Sequence, residues 1–230
     1  MSNATEPAAI SDTEFAIKDC ALIALATGRR AASLTEMREI LLDINPGSIY
    51  YHFWGGLIQP RFEEREYNND FAGFVRHGLH DSVLAERLAM VLPSEHDGME
   101  ALRREVIELI DERLDEADYL LWVRSVAPLE FIRSQIVVFD TGKRVSRPEQ
   151  LAEEIPNLST NSIFYHFVDA QQRLSEGTDD FRFWINGFGE TYQELVARLQ
   201  ELDPYFMSLS ELRSQLSDLF ADYFGVTPHE

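Results

Sequence analysis

The chain has 230 residues, of which 40 are acidic and 20 are basic, so its formal net charge is −20 at pH 7. Hydrophobic residues make up 45% of the sequence and aromatic residues 11%, which is enough for a buried core and excludes a wholly disordered chain. A negative field of this size repels phosphate backbones and anionic lipid headgroups, and the sequence contains no compensating basic patch. Nucleic acids and membrane surfaces are therefore not expected as partners.

The polar N-terminus and the cysteine content indicate the cellular compartment. Residues 1–12 lack the basic and apolar regions of a secretory signal and are predicted to form a disordered tail. Cys20 is the single cysteine, which excludes an intramolecular disulfide. No apolar stretch approaches the ~20 residues that are needed to span a bilayer. We expect a soluble, cytoplasmic protein.

The first half of the chain predicts one strand followed by short helices. Residues 15–26 form an apolar extended run that ends at a turn, Thr27-Gly28. The second of the following helices carries the triplet Tyr51-His52-Phe53. The predicted N-terminal caps of successive helices are Ser33, which forms a capping box with Glu36, then Ser48 and Asp70.

The second half of the chain repeats this pattern. At an offset of 114 residues, the difference between positions 28 and 142, residues 27–30 align with 141–144 and residues 47–53 with 161–167. The second copy has a predicted strand over 131–139. Its predicted helix starts are Ser146 with Glu149 as a capping box, Ser162 and Asp180. Each copy is predicted to hold one strand and about five short helices, so the fold class is mainly α with minor β.

The repeat also predicts the domain organisation. After the tail over 1–12 we expect repeat unit 1 over 13–114, a connector helix over 115–130 and repeat unit 2 over 131–226. The connector is apolar over 119–123 and is expected to pack across the junction. Because a single strand is not stable alone, the strands of the two copies are expected to pair across a pseudo-twofold axis.

The order of the sequence blocks is specific. In both copies Thr-Gly-[Lys/Arg]-Arg precedes a Ser-x-x-Glu helix, Ser-Ile-[Tyr/Phe]-Tyr-His-Phe, Asp-Phe and Leu-x-x-Arg-Leu. This order resembles an uncharacterised microbial family, catalogued as a domain of unknown function, whose members carry the unit once or twice. The resemblance extends from residue 15 to about residue 224. It implies a shared fold and an association with carbohydrate-metabolism enzymes.

His52 and His166 occupy equivalent positions in the two copies, each between aromatic residues. If their helices meet at the junction, the two imidazoles can share a transition metal with nearby carboxylates. The alternative is structural, and it is the commoner role for a histidine between aromatic residues on an apolar helix. The sequence requires no cofactor, and a transition metal at these histidines is the cofactor that it suggests.

The turns after the two predicted strands are the locally basic positions that both copies share. Arg29 and Arg30 follow the first turn, and Lys143 and Arg144 follow the second. A turn that leads into a helix can bind an anion through its backbone N–H groups. These four residues are therefore candidates for binding a small anion or an acidic partner.

No serine-hydrolase or nucleotide-binding motif is present, and Cys20 lies in an apolar strand that keeps a thiol unreactive. We therefore expect a non-catalytic binding or adaptor protein that recognises a protein partner or a small anion. One alternative is a metal-dependent enzyme with His52 and His166 at the repeat junction. Another is an accessory protein to carbohydrate-metabolism enzymes, and assembly as a homo-oligomer is compatible with each.

Overall fold

Two long strands form the sheet of the protein. In the computed structural model, which describes residues 14–58, 66–174 and 177–226, β1 (Phe15–Ala31) pairs with β2 (Leu129–Val145). Thr27 contacts Phe131 and Thr141 contacts Ile17, so the strands are antiparallel. The predicted pairing of the two strands is confirmed. The predicted disordered tail over 1–12 lies outside the described residues.

Helices form most of the remaining structure. Between the strands lie α1 (Leu34–Leu41), α2 (Pro46–Tyr50), α3 (Gly56–Ile58), α4 (Asp70–Gly78), α5 (Ser82–Ala89) and α6 (Met99–Glu116). After β2 follow α7 (Leu151–Glu154), α8 (Thr160–Ile163), α9 (Ala170–Arg173), α10 (Asp180–Asn186), α11 (Gln193–Gln200) and α12 (Leu209–Phe224). π-Helical turns continue α2 over Tyr51–Gly55 and α8 over Phe164–Asp169. The fold is mainly α with minor β, as the sequence predicts.

The chain divides into two compact units. The central unit is Cys20–Val137, and the terminal unit combines Met1–Asp19 with Val138–Glu230. Because both strands cross this division, each unit contains part of β1 and part of β2. The sequence-derived boundaries at 13–114 and 131–226 describe a different division, in which each strand stays whole, and they stay a prediction.

The core of the central unit combines helical faces with the start of β2. Phe71 of α4 and Phe131 of β2 are almost completely buried, and their ring centroids are 6.3 Å apart. Arg103 of α6 is buried as well. Its guanidinium donates to the carbonyl oxygens of Leu41 (2.7 Å), the last residue of α1, and Ile44 (2.6 Å), which follows that helix. A charged side chain thus satisfies carbonyl groups that the end of a helix leaves without partners.

The core of the terminal unit is aromatic. Phe15 at the start of β1 stacks on Phe181 of α10, with ring centroids 5.3 Å apart. Phe181 in turn meets Phe220 of α12 edge to face at 6.3 Å. All three rings are buried, so the first residue of β1 is fixed against the helices of this unit.

Both strands extend beyond their predicted ends. The predicted strands stop at Thr-Gly turns, whereas Gly28 and Gly142 lie inside β1 and β2 with φ angles of +75° and +76°. A glycine with positive φ inside a strand is typical of a β-bulge, which bends the strand without ending it. The basic residues after each glycine therefore lie on a strand and not at the start of a helix.

The predicted connector helix over 115–130 is wrong. α6 ends at Glu116, Asp118–Leu121 form a single 3₁₀ turn, and β2 begins at Leu129. The physical reason is exposure: Leu121 is 48% and Trp122 83% exposed, so these side chains bury too little apolar surface to stabilise a longer helix here. Within the described ranges, no helix has both the length and the apolar character of a membrane span.

Candidate functional site

The Tyr-His-Phe segment of the central unit holds one residue of β2 by its backbone. Ser48 Oγ donates to the carbonyl oxygen of Ile132 at 2.8 Å, and His52 Nε2 accepts from the N–H of the same residue at 3.3 Å. Ser48 and His52 are buried and lie one helical turn apart. Asp70 binds the other ring nitrogen, Nδ1, at 3.0 Å. Side chains thus satisfy both backbone groups of Ile132, as a neighbouring strand would.

The terminal unit contains the same arrangement on β1. Ser162 Oγ donates to the carbonyl oxygen of Lys18 at 2.7 Å, and His166 Nε2 accepts from the Lys18 N–H at 2.9 Å. Asp180 binds His166 Nδ1 at 2.7 Å and also accepts from Arg173 at 3.0 Å. We refer to the two sets, Ser48-His52-Asp70 and Ser162-His166-Asp180, as the Ser-His clamps.

The hydrogen bonds of the clamps define what the two histidines do. Because Nε2 accepts a backbone N–H, a neutral ring carries its proton on Nδ1 and donates it to the carboxylate. In a catalytic triad Nε2 instead accepts from the serine hydroxyl. Here the hydroxyls of Ser48 and Ser162 donate to the strand. The clamps are therefore structural devices and not nucleophilic sites.

The metal hypothesis for His52 and His166 gains no support from their surroundings. His52 belongs to the central unit and His166 to the terminal unit, and each uses both ring nitrogens within its own unit. A metal ion would have to displace a strand N–H or an aspartate. The described ranges contain no group of three or more histidine, cysteine, aspartate or glutamate residues that could hold a metal ion.

Sequence reasoning assigned four clamp residues to the wrong role. It predicted Ser48, Ser162, Asp70 and Asp180 as helix caps. The residues that cap these helices are Asn45, Ser159, Asn69 and Asp179. Each of these caps stands one or three positions before the predicted residue. Because the cap position is already taken, the predicted serines bind the strand and the predicted aspartates bind the histidine.

Of the two predicted capping boxes, the first is half formed and the second is wrong. Ser33 Oγ accepts from the Glu36 N–H at 3.2 Å, but the Glu36 carboxylate accepts from the N–H of Ala32 at 2.8 Å and not from that of Ser33. In the terminal unit Gln150 Oε1, and not Glu149, accepts from the N–H of Ser146 at 2.9 Å. Glu149 instead accepts from the hydroxyl of Tyr192 at 2.5 Å.

The threonine of each Thr-Gly motif locks the bulge in its strand. Thr27 Oγ1 donates to the carbonyl oxygen of Phe131 at 2.6 Å and accepts from the N–H of Arg29 at 3.1 Å. Thr141 makes the same two contacts, with Ile17 at 2.5 Å and Lys143 at 3.3 Å. Since Thr27 and Thr141 use the N–H groups of Arg29 and Lys143, those two groups are not free to bind an anion.

The basic residues of the second motif are paired within the terminal unit. Lys143 Nζ lies 2.8 Å from Glu154, and Arg144 forms an ion pair of 2.6 Å with Asp140. The hydrogen bond from Arg144 lowers the pKa of Asp140 to about 2. Both cations are exposed, and their carboxylate partners satisfy them.

The basic residues of the first motif differ from each other. Arg29 pairs with Asp43, and the exposed Arg30 makes no ion pair or hydrogen bond with the described part of the chain. An open cavity of about 300 Å³ lies beside Arg29 in the central unit. The residues around it include Leu25, Arg29, Asp43, Ile44, Asn45 and Arg133. Sequence reasoning missed Arg133 and Asn45, because no local pattern connects either of them to Arg29.

The segment between α6 and β2 presents apolar side chains to solvent. The exposed fractions are 59% for Tyr119, 48% for Leu121, 83% for Trp122 and 103% for Val126. We refer to these four residues as the apolar segment. Its backbone is anchored: Leu120 is buried, Ser125 donates its N–H to the Ala32 carbonyl at 2.7 Å, and Arg124 pairs with Glu36 at 2.6 Å.

Comparison with known proteins identifies the family. A family of unknown function, DUF5752, matches residues 12–221, and the chain belongs to this family. No curated protein matches the chain. The solved structure of OrfY from Thermoproteus tenax is similar, with a TM-score of 0.78 and 24% sequence identity over 92% of this chain and 95% of that one. At this identity the likeness shows a common fold.

Proposed function

We propose that this protein is a non-catalytic binding protein and that the apolar segment is its surface for a protein partner. The observation that carries the proposal is Trp122, a tryptophan that is 83% exposed and stands four positions before the fully exposed Val126. Single exposed apolar residues are ordinary, but a cluster of them in one short segment, with an aromatic anchor, supports an interaction site.

The anchoring of the apolar segment supports this role. Its backbone is fixed by Leu120, by Ser125 and by the ion pair of Arg124, so the exposed side chains are displayed by an ordered scaffold. A preorganised surface loses less conformational entropy on binding than a mobile loop does. The two clamps also support a non-catalytic role, because each Ser-His-Asp set is committed to the backbone of a strand.

The charges around the apolar segment define the chemistry of the partner. The exposed residues Asp115 and Asp118 precede it closely, and the chain as a whole has a net charge of −20. We expect the partner to be a protein that offers an apolar pocket for Trp122 with lysine and arginine at its rim.

We further infer that the chain is a tandem duplication in which the copies exchange the first parts of their strands. Ser48 and Ser162, His52 and His166, and Lys18 and Ile132 are each separated by the offset of 114, which is the difference between 132 and 18. Support comes from the reciprocal contacts: the first clamp holds the strand of the second copy, and the second clamp holds the strand of the first. These residues belong to the central and the terminal unit, respectively.

The partner-binding role can be tested by affinity capture from cells of the source organism with mass-spectrometric readout. Wild-type chain is compared with the double variant Trp122→Ala/Val126→Ala. Phe183→Ala is the matched control, because Phe183 is an exposed aromatic residue of the terminal unit, outside the apolar segment. We expect one protein to co-purify stoichiometrically with the wild type and the control and to be lost from the double variant.

Two results would contradict the proposal. One is that wild type and double variant capture the same proteins, and the other is that neither captures any. Light scattering on the purified proteins measures their oligomeric state and so tests whether the partner is a second copy of this chain. In that case the wild type is a dimer and the double variant a monomer.

A further inference from the structure

The cavity beside Arg29 is formed by three parts of the central unit. Arg29 comes from β1, Asp43 and Asn45 lie between α1 and α2, and Arg133 comes from β2. A volume of about 300 Å³ is at the lower end of the range for small-molecule sites and is roughly ten times the volume of a water molecule in the liquid. The site therefore has room for a small organic molecule.

Hydrogen-bond donors dominate the polar lining of this cavity. Arg29 pairs with Asp43, whereas the side chain of Arg133 makes no ion pair or hydrogen bond with the described residues. The carbonyl oxygen of the Asn45 side chain accepts from the Gly47 N–H at 2.9 Å, which leaves its NH₂ group as a further donor. Two guanidinium groups and an amide thus face one carboxylate, in a chain whose net charge is −20. Such a local excess of positive charge attracts an anion.

Gly47 brings Arg133 to its place. A Cβ atom at position 47 would lie 2.9 Å from the backbone oxygen of Ser134 and 3.1 Å from Cγ of Arg133. Glycine therefore permits the close approach of β2 to the start of α2. Ser134 Oγ completes the contact by donating to the Gly47 carbonyl oxygen at 3.0 Å. The stem of Arg133 therefore starts against the backbone at Gly47, and the rest of this exposed side chain can reach the cavity.

The corresponding position of the terminal unit shows that architecture alone does not require Arg133. At the offset of 114, Asp19 replaces Arg133 and Ser159 replaces Asn45. Ser159 Oγ donates to the Asp19 carboxylate at 2.9 Å, and Lys143, which replaces Arg29, is paired with Glu154. An acid–hydroxyl pair thus occupies the place where the central unit carries a cation. In the central unit the cation at this position lines the cavity and is available to a ligand.

We propose that the cavity of the central unit is a binding site for a small organic phosphate. Arg133 and the outer N–H groups of Arg29 would hold the phosphate oxygens, because a guanidinium matches phosphate geometry with two parallel hydrogen bonds. Asn45 adds a neutral donor, and Leu25 and Ala26 provide an apolar wall for the organic part. This site is independent of the apolar segment, and it replaces the pair of basic-turn sites that the sequence suggested with a single cavity.

The proposal is tested by isothermal titration of the full-length chain with glycerol phosphate at fixed ionic strength. The variants are Arg133→Ala, Arg133→Lys and, as the matched control, Arg30→Ala. Arg30 is exposed, carries the same charge next to Arg29 and does not line the cavity. We expect saturable binding of one molecule per chain and a loss of at least about tenfold in affinity for Arg133→Ala. Arg133→Lys should recover only part of this loss, and Arg30→Ala should stay within about twofold of the wild type.

Three further measurements complete the test. Circular dichroism checks that the Arg133 variants are folded, which we expect because this side chain is exposed. Inorganic phosphate should bind more weakly than glycerol phosphate, because it makes no contact with the apolar wall. Succinate should bind more weakly than glycerol phosphate if the site prefers phosphate to carboxylate groups. The proposal is overturned if glycerol phosphate shows no saturable binding up to roughly 10 mM. It is equally overturned if Arg30→Ala weakens binding as much as Arg133→Ala, since the attraction would then be non-specific.

Discussion

His52 Nε2 accepts a hydrogen bond from the backbone N–H of Ile132, a residue 80 positions later in the chain. The second clamp does the same for Lys18, which precedes its histidine by 148 positions. Each clamp therefore joins a helix to a strand segment that is remote in sequence. Contacts of this kind fix the register of a strand that has a partner strand on only one side.

The first prediction concerns amide hydrogen exchange at the clamped residues. His52→Ala removes the ring nitrogen that accepts the half-buried Ile132 N–H and the ring nitrogen that Asp70 binds. We expect the free energy of unfolding to fall by about 2–4 kcal/mol. Exchange should accelerate at Ile132 in this variant and at Lys18 in His166→Ala.

The control for this experiment is His77→Ala, because the His77 side chain is 65% exposed and pairs with an exposed glutamate. Its effect on stability should stay within about 0.5 kcal/mol. Faster exchange at all amides alike would show that the histidines act on global stability alone. That result would contradict the clamp.

The second prediction concerns the glycines of the Thr-Gly motifs. A Cβ at Gly28 or Gly142 meets no atom within 4 Å, so the only obstacle to alanine is the positive φ. We expect Gly28→Ala and Gly142→Ala each to lower the unfolding free energy by about 1–2 kcal/mol. Gly73 in α4 is the matched control. It also has open space around its Cβ position but has no positive φ, so Gly73→Ala should stabilise by about 0.5–1 kcal/mol.

Urea denaturation of the three glycine variants separates conformational strain from steric clash. If Gly28→Ala is neutral or stabilising, the bulge does not need glycine and Thr27 alone maintains it. If all three substitutions are destabilising to the same degree, the cause is the added methyl group and not the backbone conformation.

The limits of sequence reasoning are clearest in the clamps. The sequence correctly places Ser48 and His52 on one helical segment, and the apolar runs predict the two paired strands. The partner of each side chain depends on the tertiary fold, however, and local cap propensities cannot supply it. Asn69 next to Asp70 illustrates the ambiguity: both residue types cap helices, and only the position of His52 decides between them.

The residues that line the cavity beside Arg29 also could not be grouped from the sequence. Arg29 was a candidate because it follows a Thr-Gly motif, but the turn hypothesis relied on backbone N–H groups, one of which Thr27 uses. Arg133 was not a candidate because it stands alone in a strand. The two arginines line one cavity only because β1 and β2 pair in this register.

The third prediction concerns the buried pair of Asp179 and Arg182. Burial raises the pKa of Asp179, although Arg182 donates to it through its backbone and its side chain. Asn69 caps α4 in the same way without a charge, by accepting from the Ala72 N–H at 2.9 Å. We expect Arg182→Ala to cost about 3–5 kcal/mol at neutral pH, because it leaves a buried carboxylate without its cation. The double variant Asp179→Asn/Arg182→Ala copies the arrangement of α4 and should return to within about 1 kcal/mol of the wild type.

The pH dependence of this pair has a definite sign. A raised pKa means that the folded state binds the proton before the unfolded state does. The stability of Arg182→Ala relative to the double variant should therefore increase as the pH falls from neutral through the raised pKa of Asp179. It should be fully recovered below the unfolded pKa of about 3.9. A constant difference between the two variants across this range would show that Asp179 does not titrate in the fold.

The fourth prediction has the opposite sign and concerns Glu149. The hydrogen bond from Tyr192 lowers the pKa of Glu149, and the same bond raises the pKa of Tyr192 to about 12. A lowered pKa means that the folded state favours the ionised carboxylate of Glu149. The stability that this carboxylate contributes is therefore present above its unfolded pKa of about 4.3 and is lost as the pH falls through its pKa in the folded state.

Tyr192→Phe should lower the free energy of unfolding by about 1–2 kcal/mol at pH 7, measured by urea denaturation. This difference should shrink toward about pH 3. In a Glu149→Gln background the same substitution should cost less and show no pH dependence, because the titrating partner is gone. A cost that stays the same at both pH values in both backgrounds would assign the effect of Tyr192 to packing of its ring.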